Sequence, residues 1–124
     1  MNLSLDTHAL LWWLDDSPAL GQSARTAIMD DRNIVVVSAA VVWEIRIKQA
    51  LGKLDIDASF LEVIRGQGFE LLSITADHAY AVGELPMHHR DPFDRLIIAQ
   101  ALLEGLTVVT RDPLFAKYAV PVIS

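Results

Sequence analysis

The run Ile34-Val35-Val36-Val37 is the strongest constraint on how this chain can fold. Every residue is β-branched and apolar, with no polar residue in alternation. A strand built from it must be covered on both faces. Such strands sit in parallel sheets with helices packed above and below. The flanking sequence alternates to match. Asn2–Leu5 reads as a short buried strand and Thr7–Leu14 as a helix, with Ser17-Pro18 as a break and a candidate helix start. Gly21–Asp31 reads as a second helix. Ser38 suits the N-cap of a helix running to Leu51, with Gly52 as its stop. Asp57 suits the cap of a helix through Arg65, ended by Gly66 and Gly68, and Phe69–Ile74 reads as a strand. Thr75 suits the cap of a helix over Ala76–Glu84, Pro86–Arg90 is a loop, and Asp91-Pro92 opens a helix that Gly105 ends. Leu106–Val109 is a strand, Pro113–Tyr118 a short helix and Val120–Ile123 a weaker last strand. The expected fold is α/β: one domain over residues 1–124, a central, mostly parallel sheet with helices on both faces.

The length of 124 residues suits one domain, and 52% apolar content supplies ample core. No cysteine is present, which removes disulfides, thiolate zinc sites and cysteine nucleophiles together. That suits a reducing cytoplasm. The start Met1-Asn2-Leu3-Ser4-Leu5-Asp6 has neither the basic nor the long apolar region of a secretory signal. Uncharged stretches fall well short of the ~18 residues of a membrane span. The expected location is the cytoplasm, with no membrane partner.

Four acids fall where a doubly wound sheet gathers its site residues. Asp6 follows the first strand, Glu44 lies inside the helix after Ser38, Asp94 lies in the first turn of the helix after Asp91, and Asp112 follows the strand Leu106–Val109. Strand ends and helix starts in such folds converge on a crevice at the carboxyl edge of the sheet. Carboxylates gathered there repel unless they are protonated or hold a cation, and a cluster of hard oxygen ligands suits Mg²⁺ or Mn²⁺. Each acid also has a plainer use. Asp6, Asp91 and Asp112 suit helix caps, and Glu44 can pair with Lys48 four residues on. Yet Glu44 lies only about 60° from Ile47 on a helix that is apolar over most of its circumference. A carboxylate buried there needs a partner or a metal. Net charge is −6, which argues against broad duplex binding. Setting these four aside leaves 12 of the 16 acidic residues against 10 basic ones, about −2.

With those residues in view, the chain resembles the PIN-domain ribonucleases that act as toxins of VapBC-type toxin–antitoxin pairs. The segments that carry the resemblance are Leu5-Asp6-Thr7-His8-Ala9-Leu10-Leu11-Trp12, Ser38-Ala39-Ala40-Val41-Val42-Trp43-Glu44-Ile45, Asp91-Pro92-Phe93-Asp94-Arg95-Leu96-Ile97-Ile98-Ala99-Gln100-Ala101 and Val108-Val109-Thr110-Arg111-Asp112. They span almost the whole length in the family's order. The resemblance implies a metal-dependent endoribonuclease in which Asp6, Glu44, Asp94 and Asp112 hold Mg²⁺ or Mn²⁺ and metal-activated water cleaves RNA phosphodiesters. It also implies a homodimer neutralised by a cognate antitoxin. Asp91 is expected as a cap or a supporting group. Thr7 and Thr110 can hydrogen-bond the acids or bound water. Arg46, Lys48, Arg90, Arg95 and Arg111 are candidates for phosphate contacts, with Arg95 also able to pair with Asp91.

His88 and His89 lack the spacing of zinc motifs and are expected in a loop beside the site, or with no role. His8 is expected as an ordinary helix histidine. Trp12, Trp13 and Trp43 can stack bases, but burial or protein contact is the preferred reading. Residues 10–14 are apolar around the whole helix, which suggests a subunit or antitoxin interface. Two other classes remain. A metal-dependent phosphatase wants a second Asp two residues after the first, where this chain has His8. A catalytically silent interaction protein shares the fold without turnover.

Overall fold

The computed structural model describes residues 1–124. Its strands are β1 (Asn2–Leu5), β2 (Ile34–Ser38), β3 (Glu70–Leu72), β4 (Thr107–Val109) and β5 (Val122–Ile123). They form one sheet in the order β3-β2-β1-β4-β5, and every pairing is parallel. The helices are α1 (Thr7–Leu14), α2 (Gln22–Met29), α3 (Ala39–Ala50), α4 (Phe60–Gly66), α5 (Ala76–Val82) and α6 (Pro92–Glu104), with a 3₁₀ turn at Pro113–Lys117.

Leu3, Ser4 and Leu5 of β1, Val35, Val36 and Val37 of β2, and Val108 and Val109 of β4 are all buried. Neighbouring strand residues point to opposite faces, so helices must cover both sides of the central strands. Helix α6 packs against α3 and α5, and α1 against α3. No helix is long and apolar enough to cross a membrane.

The strand order positions the site. From β1 the sheet grows one way through β2 and β3 and the other way through β4 and β5. The order reverses between β1 and β4, and a crevice opens beyond the carboxyl ends of strands that part in this way. Ser4 pairs with Val36 on one side and Val108 on the other, and Leu5 with Val109. The Asp6 N–H then donates to the Val109 carbonyl at 3.2 Å, which brings the residue after β1 beside the residue after β4.

Several boundaries differ from the expectation. The helix expected from Asp57 starts at Phe60, because Asp57 Oδ1 accepts from the Ser59 N–H and hydroxyl and holds a turn there. Ser17-Pro18 is a turn rather than a helix start. The expected helix Gly21–Asp31 shortens to Gln22–Met29, because Asp30 leaves helical geometry. The edge strands expected over Phe69–Ile74 and Val120–Ile123 shrink to Glu70–Leu72 and Val122–Ile123. An edge strand has one hydrogen-bonded neighbour to define its length. Gly105 ends α6 as expected, in the left-handed conformation at φ 67° that favours glycine.

Candidate metal centre

Each of the four acids is held by local structure the sequence dictates. Asp6 is the N-cap of α1, and its Oδ1 accepts from the Ala9 N–H at 2.8 Å. Asp112 is the N-cap of the 3₁₀ turn, and its Oδ1 accepts from the Leu114 N–H at 2.9 Å. Asp94 lies in the first turn of α6, whose N-cap is Asp91; Asp91 Oδ1 accepts from the N–H groups of Phe93 and Asp94. Glu44 stands within α3 and is buried at 7% exposure. Its Oε1 accepts from the Thr7 hydroxyl at 2.5 Å, and its Oε2 lies 2.9 Å from Lys48 Nζ. Capping and convergence are therefore compatible. A cap uses one carboxylate oxygen and leaves the rest of the group to face the crevice.

The charges meet there. Asp6 is 5% exposed, and burial raises its pKa. The Thr110 hydroxyl, the Ala9 N–H and His8 pull it down, and the charge of Asp112 pushes it up. Asp94 is pushed up to about 7, first by burial and then by the charge of Asp91; His89 opposes this, while Asp6 and Glu44 add to it. Carboxylates from β1, α3, α6 and the segment after β4 thus act on one another across the crevice. The mutual repulsion that raises Asp94 is the kind a divalent cation would relieve, and the oxygen-only acid set suits a hard ion.

Two basic side chains lie against the acids. One is Lys48 on Glu44. The other is His89, whose Nε2 lies 2.8 Å from Asp112 Oδ2 and 3.0 Å from Asp94 Oδ2. The ligand atoms of His89, Asp94 and Asp112 all fall within 4.8 Å of one another. His89 was expected in a loop beside the site or with no role, and the contact with Asp112 and Asp94 was not expected. Its Nδ1 accepts from the N–H of Asp91 two residues on, as Asx side chains do in turns.

The remaining expected residues divide. Thr7 supports Glu44, and the Thr110 hydroxyl accepts from the Asp112 N–H while standing beside Asp6. Asp91 is the cap of α6 and lies close enough to raise Asp94. Arg95 needs correction. It was expected near substrate or paired with Asp91, but it is buried and donates to the carbonyls of Val82, Leu85, Pro86 and His89. It lies on the core side of α6, where the loop before the helix wraps over it. Arg111 is exposed and its Nη1 reaches the Ala19 carbonyl, away from the acids. Arg46 and Arg90 are exposed. Of the tryptophans, Trp12 and Trp13 are half-buried, whereas Trp43 is 59% exposed and stands edge-on to Phe93 at 5.2 Å. Of burial or protein contact, the two preferred readings, burial does not hold for Trp43, because it faces outward from α3 next to Glu44, which is buried.

The PIN domain family model matches residues 3–121. The chain is 32% identical over 117 residues to Ribonuclease VapC22 of Mycobacterium tuberculosis, covering 87% of this chain and 85% of that protein. Its fold is similar to that in the crystal structure of VapBC2 from Rickettsia felis bound to a promoter DNA fragment, with a TM-score of 0.74 at 18% identity over 99% of this chain and 98% of that one. It is also similar to DNA-bound VapBC from Salmonella typhimurium, with a TM-score of 0.69 at 16% identity over 99% and 97% of the two chains. The solved structures speak for the architecture, and the family model and the mycobacterial relative each cover most of the chain. On that ground the chain belongs to the PIN domain family.

Proposed function

We propose that this protein is a cytoplasmic, metal-dependent endoribonuclease toxin, its 124 residues forming one nuclease domain, and that a cognate antitoxin neutralises it. The observation that carries this reading is the meeting of Asp6, Glu44, Asp94 and Asp112 at the switch point between β1 and β4. Similarity to a named ribonuclease supports the reaction class. Similar folds occur in VapBC assemblies and in a toxin–antitoxin complex from Klebsiella pneumoniae, which supports the partner.

In this reading the four acids hold Mg²⁺ or Mn²⁺. The ion, when bound, polarises a phosphoryl oxygen and makes a water acidic enough to attack at neutral pH. The chain's own residues do the rest. The Thr7 hydroxyl and Lys48 fix both oxygens of Glu44, so its orientation does not depend on substrate. The Ala9 N–H fixes Asp6 in the same way. One of the carboxylates around the ion accepts the proton of the attacking water. Water is the nucleophile, so the sugar hydroxyl is not needed for the chemistry, and a preference for RNA comes from substrate fit.

A groove of about 410 Å³ beside α1 suits the antitoxin. Leu11, Trp12, Leu14, Leu54 and Ile56 line it, with Asp15, Asp55 and Asp57 at its rim. The same apolar surplus on α1 leaves room for a homodimer contact.

The test is cleavage of RNA with Mg²⁺ or Mn²⁺ by wild type, Asp6→Asn and Asp94→Asn, each shown to be folded. Cleavage is expected in wild type, abolished by a chelator and reduced at least about a hundredfold in either variant. Full activity in a variant removes that residue from the site. Metal-dependent release of phosphate from a small phosphomonoester without RNA cleavage makes the protein a phosphatase instead.

A further inference from the structure

We propose that His89 is a positioning residue of the metal site: its imidazole N–H, rather than a lone pair, faces Asp94 and Asp112 and sets the carboxylate geometry that a divalent ion meets. The inference rests on the metal-site reading above and adds a residue to it.

Distance alone does not separate ligand from donor. Two ligands at adjacent corners of an octahedron about 2.1 Å from the ion stand about 3 Å apart. The separations of 2.8 and 3.0 Å from Nε2 to the two Oδ2 atoms fit that arrangement as well as a hydrogen bond. The other side of the ring decides. Nδ1 lies 3.1 Å from the backbone nitrogen of Asp91 and accepts its N–H. A neutral imidazole with its Nδ1 lone pair in use carries its proton on Nε2. Turning Nε2 into a ligand would move the proton to Nδ1, against the Asp91 N–H. That costs the hydrogen bond and sets two donors face to face.

The ring is also locked. His89 is buried, and its edge meets the face system of Phe115 at 5.8 Å and an interplanar angle of 86°. Its backbone N–H donates to the Tyr118 hydroxyl at 2.8 Å, and its carbonyl accepts from Arg95. Tyr118 in turn donates to the Pro86 carbonyl, and Arg95 Nη1 reaches the same carbonyl. The imidazole is thereby fixed before any ion arrives. It donates to Asp112 Oδ2 while Leu114 N–H holds Asp112 Oδ1, so both oxygens of that carboxylate are oriented by the protein. On Asp94 the ring nitrogen lies 3.0 Å from Oδ2. A histidine hydrogen-bonded to Asp112, with Asp94 Oδ2 3.0 Å from the same nitrogen, ties the start of α6 to the segment after β4.

The test titrates the full-length protein with Mn²⁺, using wild type, His89→Gln and His89→Leu, and follows free Mn²⁺ by electron paramagnetic resonance. Pulsed measurements on the loaded wild type then read nitrogen coupling to the ion. Glutamine returns an N–H near the Nε2 position, and leucine does not. The expected result is about 10–100-fold weaker Mn²⁺ binding in His89→Leu, binding close to wild type in His89→Gln, and no directly bound nitrogen in wild type. A bound-nitrogen signal that His89→Gln removes would make His89 a ligand and overturn the proposal. Equal affinity in a folded leucine variant, or a glutamine variant as weak as leucine, overturns it too. Should His89→Leu not fold, the wild-type coupling and the glutamine affinity decide. Wild type that binds no Mn²⁺ ends the metal-site reading itself, a different result from a site that binds the ion without needing His89.

Discussion

At the scale of single residues, the account turns on carboxylates held above their ordinary pKa. Asp94 is raised from 3.8 to about 7, by burial first and by the neighbouring acids next, and Asp6 is raised by burial. A raised carboxylate binds its proton more tightly in the folded protein than in the unfolded chain. Below about pH 4 both forms are protonated, and the group neither favours nor opposes folding. As pH climbs towards 7 the unfolded chain ionises first, so a penalty on the folded state builds progressively across that window. The metal-free protein is therefore expected to lose a few kcal/mol between about pH 4 and pH 7 through these groups. Asp94→Asn should flatten the trend, and saturating Mg²⁺ should reverse it above neutrality, since an ion that binds only the folded form stabilises it. Thermal melts across that pH range, with and without metal, check both points. A wild-type profile unaffected by the substitution would show that Asp94 is an ordinary surface acid. Asp6, Asp94 and Asp112 were readable from sequence because each stands next to a strand end or helix start, and Glu44 because it sits in a helix apolar over most of its circumference. The capping bonds of Asp6 and Asp112 were readable for the same reason. The contact of His89 with Asp94 and Asp112 was not, because a side chain that bridges α6 and the segment after β4 has no signature in either segment alone.

At the scale of elements, the sequence marked most helices and strands, because caps, glycines and β-branched runs act locally. Asp91-Pro92 and Gly105 bound α6, and Ser38 opens α3, where they were expected. The parts that eluded reading are those defined by distant partners. The loop over Pro86–Arg90 takes its shape from the Tyr118 hydroxyl, which accepts from the N–H groups of His88 and His89 about thirty residues upstream. Arg95 finishes the fastening from inside α6, and its sequence position beside Asp91 and Asp94 gave every reason to assign it to the site instead. The two side chains form a staple, and the staple predicts a stability effect. Arg95→Met removes the buried guanidinium that donates to the carbonyls of Val82, Leu85, Pro86 and His89, of which Pro86 keeps Tyr118 and Val82 keeps the Leu85 N–H, and should cost about 3 kcal/mol. Tyr118→Phe removes only the hydroxyl and should cost about 1–3 kcal/mol. Denaturant midpoints measure both. Losses under about 0.5 kcal/mol, the range of an ordinary surface change, would mean that the loop is held by other contacts.

At the scale of the whole molecule, one arrangement links the fold to the proposed chemistry. A five-stranded parallel sheet reverses its order between β1 and β4, and the chain sends acids to that point from widely separated positions. The topology was expected in class from the unbroken valine run, but the strand order was not, since pairing among strands of similar composition is not written in any one of them. The order matters more than the class, because it brings Asp6 beside Thr110 and Asp112. The outer surface is less determined. Trp43 and the groove along α1 expose apolar area that the sheet does not use, and their partners are a matter of assembly. The claim on which the rest depends is narrower: Asp6, Glu44, Asp94 and Asp112 surround a single divalent-ion site. Anomalous X-ray diffraction from Mn²⁺-loaded crystals tests it directly. The account predicts an anomalous peak in the crevice between β1 and β4, with carboxylate oxygens of these residues bound to it directly or through one water. A peak on another face of the molecule, or a loaded crystal with none in the crevice, would contradict it.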